Sequence, residues 1–544
     1  MPETIPTGQL ASPAPAWRRA MNLLSPSRSH TAFTATLLLM ASVTLSRVIG
    51  LVRVKYIAYL FGRGAAADAF NAAFQLPDMI SYFLVGGAAS ITFVTMLTRY
   101  RDSGREEEGR EAMSVILTTM LCVLGGAILL AEFFAPVYVR ALLSGFDKDP
   151  AKLELCVHLT RILLLAPLFF FSGGVFGAVL LVRKQFTVQA VSPLIYNLGT
   201  ILGGVVLAKS IGVSSLAIGT VVGAFCGPFL LNAIGAHRLG MKFRPKLDLG
   251  NAGLHEWVKM SIPLMLGVSL VTADNWIINY FASHNGGAIS LLTYAKNLFT
   301  APVALGQAAG AASLPFLASL YGKDGSTDKG RDVAAFSRAV DSSVSRILAF
   351  SVLLSAWMIA MAQPAVDVVF RGGVFHREDA STMAVYFAVF SISLCLWSAQ
   401  ALYARAFYAA GNTLTPMIAG TIVTVLSLPV YWSLYRAHGP VGLAAASDIG
   451  ILIQTLTLAV LLHRRRMVSV AELEYGELLR ALLAAVVSFA ALRGLAYVFP
   501  AHGRIRELLL LLLATLVWLA VAGTALRLTG SQLPAQLLAR FRRK

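Results

Sequence analysis

Charge is scarce in this chain. Only 13% of its 544 residues are Asp, Glu, Lys or Arg, about half the roughly 25% usual in a soluble domain. Acids are the scarcer sign, 27 against 45 basic residues, which leaves a net charge of +18. There are four cysteines (Cys122, Cys156, Cys226, Cys395), scattered and never in a CxxC spacing, so neither a disulfide framework nor a zinc site is expected. The nine histidines fall mostly in loops. No Ser/His/Asp set, paired-carboxylate pattern or glycine-rich phosphate loop stands out. These absences point away from an enzyme, a resident metal or cofactor, and an ATP-driven pump. A cleavable signal peptide is also missing. The first 30 or so residues are rich in Pro and Ser, carry Arg18, Arg19 and Arg28, and read as a disordered cytoplasmic tail.

What is abundant is apolar length. Hydrophobic residues make up 57% of the chain and the mean hydropathy is +0.70. Many windows reach the 18 or more apolar residues of a membrane span. A large soluble helical protein would need polar helix faces, but segments such as Leu508–Val521 are apolar on every side. The expected fold is therefore an all-α polytopic membrane protein. About fourteen spans are expected, near 33–61, 68–98, 113–141, 157–182, 189–209, 212–236, 256–283, 287–320, 338–363, 380–410, 414–436, 439–463, 477–499 and 505–528.

The cations explain themselves as topology rather than as a nucleic-acid surface. The N-terminal tail, "RYRDSGREEEGR", "VRKQ", "HRLGMKFRPK", "YGKDGSTDKGR", "HRRR" and the tail "ARFRRK" are basic, and every second loop is one of these. That alternation is the positive-inside pattern, and it places both termini in the cytoplasm of a cell whose inner membrane the chain would span.

An internal repeat organises the spans. "GAASITF" from Gly87 matches "GAASLPF" from Gly310, and "VSP" ending at Pro193 matches "LTP" ending at Pro416, both at an offset of 223. "VSSLA" from Val213 and "PVGLA" from Pro440 follow at 227. The offset covers six spans, an even number, so the two copies share one membrane orientation. The expected organisation is a tail (1–32), an N-lobe (33–240, spans 1–6), a parallel C-lobe (250–465, spans 7–12), spans 13–14 (475–530) and a basic tail (531–544). Transporter sites tend to lie between such repeats.

Span 1 carries Arg47, Arg53 and Lys55. A cation at mid-bilayer costs roughly 2.5–3.5 kcal/mol on insertion scales and usually faces a bundle interior or a wet cavity. Arg47 lies about fifteen residues into the span. Arg53 and Lys55 lie nearer its end, where snorkelling to the surface competes with a cavity position. Together they form a cationic stripe suited to an anionic group such as a phosphate, and Gly50 between the arginines offers a bend. Lys296 and Asn297 lie inside span 8. Asp274 lies mid-span in span 7, where it suits ion coupling or pairing with a cation. Asp68 opens span 2, where the helix dipole favours an acid. Glu132, Asp367 and Arg405 read as interfacial.

These residues resemble the MurJ (MviN) lipid II flippase family of the multidrug/oligosaccharidyl-lipid/polysaccharide exporter superfamily. The clearest stretch is "SRVIGLVRVKYIAYLFGRGAAADAFNAAFQLPD", supported by "FGAVLLVRKQFTVQAVSPLIYN", "SIPLMLGVSL", "VVFRGGVF" and "ARAFYAAGNTLTP". The resemblance implies that Arg47 and Arg53 meet the pyrophosphate of a lipid in a central cavity, and that Asp68 matters to transport. It also implies a lipid-tail groove at spans 13 and 14. The chain departs from the family pattern at three places. Ser81 and Tyr82 replace an Arg-Arg pair, Val85-Gly86-Gly87 replaces A-E-G, and Tyr294-Ala295-Lys296-Asn297-Leu298 replaces Y-A-D-R-L. Lys296 and Lys55 are the candidates to restore the missing charge, with Ser81 and Asn297 at the vacated positions.

The expected function is a flippase that carries an undecaprenyl-pyrophosphate-linked sugar, lipid II first among them, to the periplasmic leaflet. Membrane-potential or monovalent-cation coupling fits that scheme. A flippase for another polyprenyl-linked glycan, a drug/cation antiporter, and a transport-dead scaffold for cell-wall synthesis proteins stay open as alternatives. The intramembrane cations argue against the antiporter.

Overall fold

The computed structural model describes residues 32–85, 88–266, 269–303, 333–500 and 503–535. Every regular element among them is helical, and the one β feature there is an isolated bridge between Gly372 and Phe375. The tail 1–31, the copy of the repeat from Gly310, the loop "YGKDGSTDKGR" and the end of the basic C-terminal tail lie outside the described residues.

Eight described helices are individually long and apolar enough to cross a bilayer, or nine if the bent pair Arg377–Ile392 and Leu394–Ala409 is one span. The difference from fourteen has physical causes. Leu414–Arg464 is one continuous helix by hydrogen bonding but turns at Gly439 (φ 59°, ψ −141°), so it holds spans 11 and 12. Span 2 is broken into Ala65–Ala73, Gln75–Ile80, a π-helical turn Ser81–Val85 and Ala88–Asp102. Span 7 is broken into Ala252–Leu266 and Leu270–Ala282. Span 1 is Ala32–Phe61, and span 8 is described over 288–303.

The repeat is written into the backbone. Spans 5 and 6 join at Gly212, with φ 57° and ψ −137°, nearly the angles of Gly439 between spans 11 and 12. Both glycines sit one residue before the matched segments at Val213 and Pro440. A side chain is strained at such positive φ, so the two lobes use the same residue for the same turn.

Helix packing follows from small residues. Gly199 and Gly203 on span 5 face Gly219 and Gly223 on span 6 so closely that a Cβ on Gly219 would lie 2.5 Å from the Gly199 carbonyl oxygen. This is the small-xxx-small packing that lets membrane helices approach. Gly219→Ala is therefore expected to destabilise the protein by about 1–3 kcal/mol. Gly523→Ala, where a Cβ meets nothing within 4 Å, should stay within about 0.5 kcal/mol of the parent. Thermal unfolding of the two variants in one detergent checks this; equal melting temperatures would refute the packing argument.

Spans 1 to 6 pack mainly on one another, as do spans 9 to 12 with the second half of span 7. The first half of span 7, Ala252–Leu266, packs instead on spans 2 and 3, so span 7 crosses from one lobe to the other. Spans 13 (Tyr475–Val498) and 14 (Arg504–Leu528) lean on span 9, where the Trp518 indole donates to the Leu353 carbonyl at 3.0 Å. The loops 103–105, 183–185, 239–251, 410–413 and 465–474 lie on one end of the bundle, here the basic face. The turns at 62–64, 143–149, 283–287 and 371–376 meet at the opposite face.

Candidate functional site

Span 1 has three distinct sides. Leu45, Val48, Val52 and Tyr59 are exposed apolar residues and share one stripe, the lipid side. On the side toward span 5, Ser42 donates to the Ala190 carbonyl, and the Asn197 amide donates to Ser46 Oγ at 3.3 Å. A Cβ on Gly50 would lie 3.9 Å from Asn197 Oδ1. The helix runs without interruption through Gly50, which faces span 5. The third stripe is Arg47, Leu51, Val54 and Ala58, spaced by three and four residues. Val54 and Ala58 are buried in the core between the lobes, whereas Arg47 is exposed. The same stripe thus passes from closed packing near the opposite face to open space toward the basic face. Arg47 lies about 130° around the helix from the exposed apolar stripe, and pairs with no carboxylate among the described residues.

Arg53 is half-buried nearly two turns further on. Its guanidinium lies 5.7 Å from the centre of the Tyr196 ring on span 5, acts electrostatically on Asp78 of span 2, and leaves a buried Nε without a hydrogen-bond partner. Asp78 is itself exposed. Next to it, half-buried Ser81 begins the π-helical turn, a distortion frequent at functional sites. Asp78 and Tyr196 were not singled out in the sequence; the acid directly after "QLP" was the available signal.

The other expected cations are placed elsewhere. Lys296 is a correction: its amine is not free to hold a phosphate. It is 9% exposed and donates to Asp274 and to Asn275 Oδ1 at 2.6 Å. Asp274 also accepts from the Tyr431 hydroxyl and from Ser447 Oγ at 2.8 Å. Of the two readings of Asp274, the structure displays the cation partner. Lys55 is half-buried, about 80° around the helix from Arg47, and lies within electrostatic reach of Arg504 at the start of span 14. Asn297 turns its amide back to the Thr293 carbonyl at 2.8 Å, which leaves it in local helix bonding.

Asp68 does far more than cap its own helix. It is fully buried, pairs with Lys152 at 2.8 Å, and accepts from Gly287 N at 2.7 Å, Ser290 N at 2.9 Å and Ser290 Oγ at 2.7 Å. The N-lobe acid therefore satisfies the orphan amides at the start of span 8 in the C-lobe. Neighbouring bonds cross the same seam. The Tyr294 hydroxyl donates to the Gly62 carbonyl at 3.0 Å, Val374 N donates to the Tyr59 carbonyl at 3.0 Å, Gly145 N donates to Ser283 Oγ at 3.2 Å, and Arg63 pairs with Asp379 at 2.8 Å. The lobes are latched at the opposite face.

The arrangement is a two-lobed bundle latched at one face, with Arg47 exposed on the span 1 stripe that continues from the buried Val54 and Ala58. The family model described as "Lipid II flippase MurJ" matches residues 57–513, most of the chain. The chain belongs to the lipid II flippase MurJ family. A protein of Haemophilus influenzae named probable lipid II flippase MurJ is 29% identical over 77% of this chain and 83% of its own length. The lipid II flippase MurJ of Burkholderia cenocepacia is 27% identical over 80% and 84%. Among solved structures, a lipid II flippase MurJ in an inward closed conformation superposes with a TM-score of 0.73 at 20% identity, covering 90% of this chain and 99% of that one. An inward-facing multidrug-resistance transporter of the MATE family within the MOP superfamily superposes with a TM-score of 0.63 at 12% identity, covering 78% and 98%. These two likenesses speak for the fold: a multi-pass helical membrane protein of MurJ architecture.

Proposed function

We propose that this chain moves lipid II from the cytoplasmic to the periplasmic leaflet of the bacterial inner membrane by alternating access, as a transporter and not an enzyme. The basic face is then cytoplasmic by the positive-inside rule, with both termini on that side, and the latched face is periplasmic. The observation that supports it is that Arg47 is exposed on the span 1 stripe leading from the inter-lobe core and pairs with no carboxylate among the described residues, in a chain of the MurJ family; we read that stripe as the wall of a cleft between the lobes, with Arg53 farther along the same helix.

The physical task is to take a polar headgroup across about 30 Å of hydrocarbon. A wet cleft removes that barrier for the headgroup while the polyprenyl tail stays in the bilayer. Arg47 and Arg53 offer planar guanidinium forks for pyrophosphate oxygens, and Tyr196 and Asp78 hold Arg53 in place. Release of the latch around Asp68, with closure at the cytoplasmic side, would turn the cleft outward. An inside-negative potential favours outward movement of an anion by roughly 2.3 kcal/mol per charge per 100 mV, so no nucleotide is needed.

Two cavity arginines of the family pattern are absent, at Ser81 and Asn297, and Lys296 does not replace them. That observation favours a second reading, a flippase for a different polyprenyl-pyrophosphate glycan. Binding separates the two. Purified protein in nanodiscs is titrated with lipid II and with undecaprenyl pyrophosphate lacking sugar. Saturable lipid II binding that exceeds binding of the bare pyrophosphate and weakens in Arg53→Ala is expected. Equal affinity for both lipids would leave the sugar unread and move the assignment to another glycan.

A further inference from the structure

The pocket around Lys296 lies within the C-lobe, away from the Arg47 cleft, and its make-up has a meaning of its own. Lys296 from span 8 enters a group of oxygen atoms from spans 7, 11 and 12. Asp274 and Asn275 accept from the ammonium directly. Tyr431 and Ser447 donate to the two oxygens of Asp274 and fix its orientation. Asp448 adjoins the pair and acts electrostatically with both members, and it is itself fixed by a bond from Ser393 Oγ. Asp274, Tyr431, Ser447 and Ser393 are all buried. The Trp397 ring closes another side, 6.0 Å from the ammonium nitrogen.

Two carboxylates and a side-chain carbonyl, drawn from separate helices and braced by hydroxyls, form the donor set that hard cations prefer. Here the cation is covalently attached. A buried carboxylate is tolerated only with a charge partner, and the ammonium supplies it without any ion from solution. We infer that this pocket is a monovalent-cation site filled by the Lys296 ammonium, so that the wild-type chain takes up no free Na+ there, and that deleting the amine opens the pocket to Na+. Lysine's ammonium is a compact point charge with no planar demand, which is why it can stand in for a spherical ion. The inference holds whatever headgroup the cleft carries, because it concerns the C-lobe pocket alone.

The test uses full-length protein in nanodiscs and thermal unfolding in NaCl against choline chloride at constant total salt. A ligand that binds only the folded state raises the midpoint in a saturable way. Wild type is expected to give the same midpoint in both salts. Lys296→Met, which keeps the apolar stem, is expected to melt lower in choline and to recover several degrees as Na+ replaces choline. Lys296→Met/Asp274→Asn should lose that Na+ response. A saturable, Na+-specific rise in wild type would overturn the inference, as would a folded Lys296→Met protein indifferent to Na+. Lys296→Gln serves if the methionine variant does not fold. If neither accumulates, the wild-type comparison decides, since Na+ indifference supports a filled site and a Na+-specific shift refutes it.

Discussion

Replacing Arg47 with alanine is expected to abolish lipid transport while the protein accumulates, inserts and melts as the parent does. The two halves of that expectation have separate grounds. Arg47 is exposed and pairs with no carboxylate among the described residues, and surface changes of that kind usually fall within about 0.5 kcal/mol. Yet its position on the stripe continuous with Val54 and Ala58 places it where a headgroup between the lobes must pass. Charge-assisted bonds to a phosphate are about twice as strong as neutral ones, and Lys296, bonded to Asp274, does not replace them. Arg47→Lys should recover part of the activity, since a point charge without the fork remains. The measurement is growth of a strain depleted of its own lipid II flippase, with membrane-fraction immunoblots to confirm accumulation. Full growth with Arg47→Ala would remove Arg47 from the mechanism.

Asp68→Asn is expected to be damaging in a different way. The substitution leaves Lys152 buried opposite a neutral amide, and breaking one side of a buried pair typically costs about 3–5 kcal/mol. It also weakens the acceptor that receives Gly287 N and Ser290 N across the lobes. Both stability and transport should fall. The double variant Asp68→Asn/Lys152→Met separates the causes. It removes the unpaired charge, so much of the melting temperature should return, while transport stays impaired because the inter-lobe latch is still weak. Normal transport in the double variant would make Asp68 a folding residue only.

The sequence made the fold legible because span length, basic-loop alternation and the repeat at 223–227 are local or periodic signals. The turns at Gly212 and Gly439 carry that repeat down to the backbone angles. Arg47 and Arg53 were legible for a related reason: a cation within an apolar run stands out against its neighbours. What the chain did not disclose were pairings between distant positions. Asp68 meets Gly287 across 219 residues and Lys152 across 84; the resemblance marks the acid as important, but nothing around "AAADAF" names its partners. Lys296 read as a free cation because its partner Asp274 lies on another span, and helix periodicity cannot bring two spans together. The glycines of spans 5 and 6 are spaced by four in each helix, a signal present in the sequence that only the contact distances turned into an interface.

The most direct test of the flippase account is the amount of lipid II in the outer leaflet of cells depleted of their own flippase, measured by a reagent confined to the periplasm. With this chain expressed, outer-leaflet lipid II should return toward the level in undepleted cells, and with Arg47→Ala it should stay at the depleted level. An inserted wild-type chain that leaves lipid II on the cytoplasmic side, in cells where a control flippase restores it, would contradict the account.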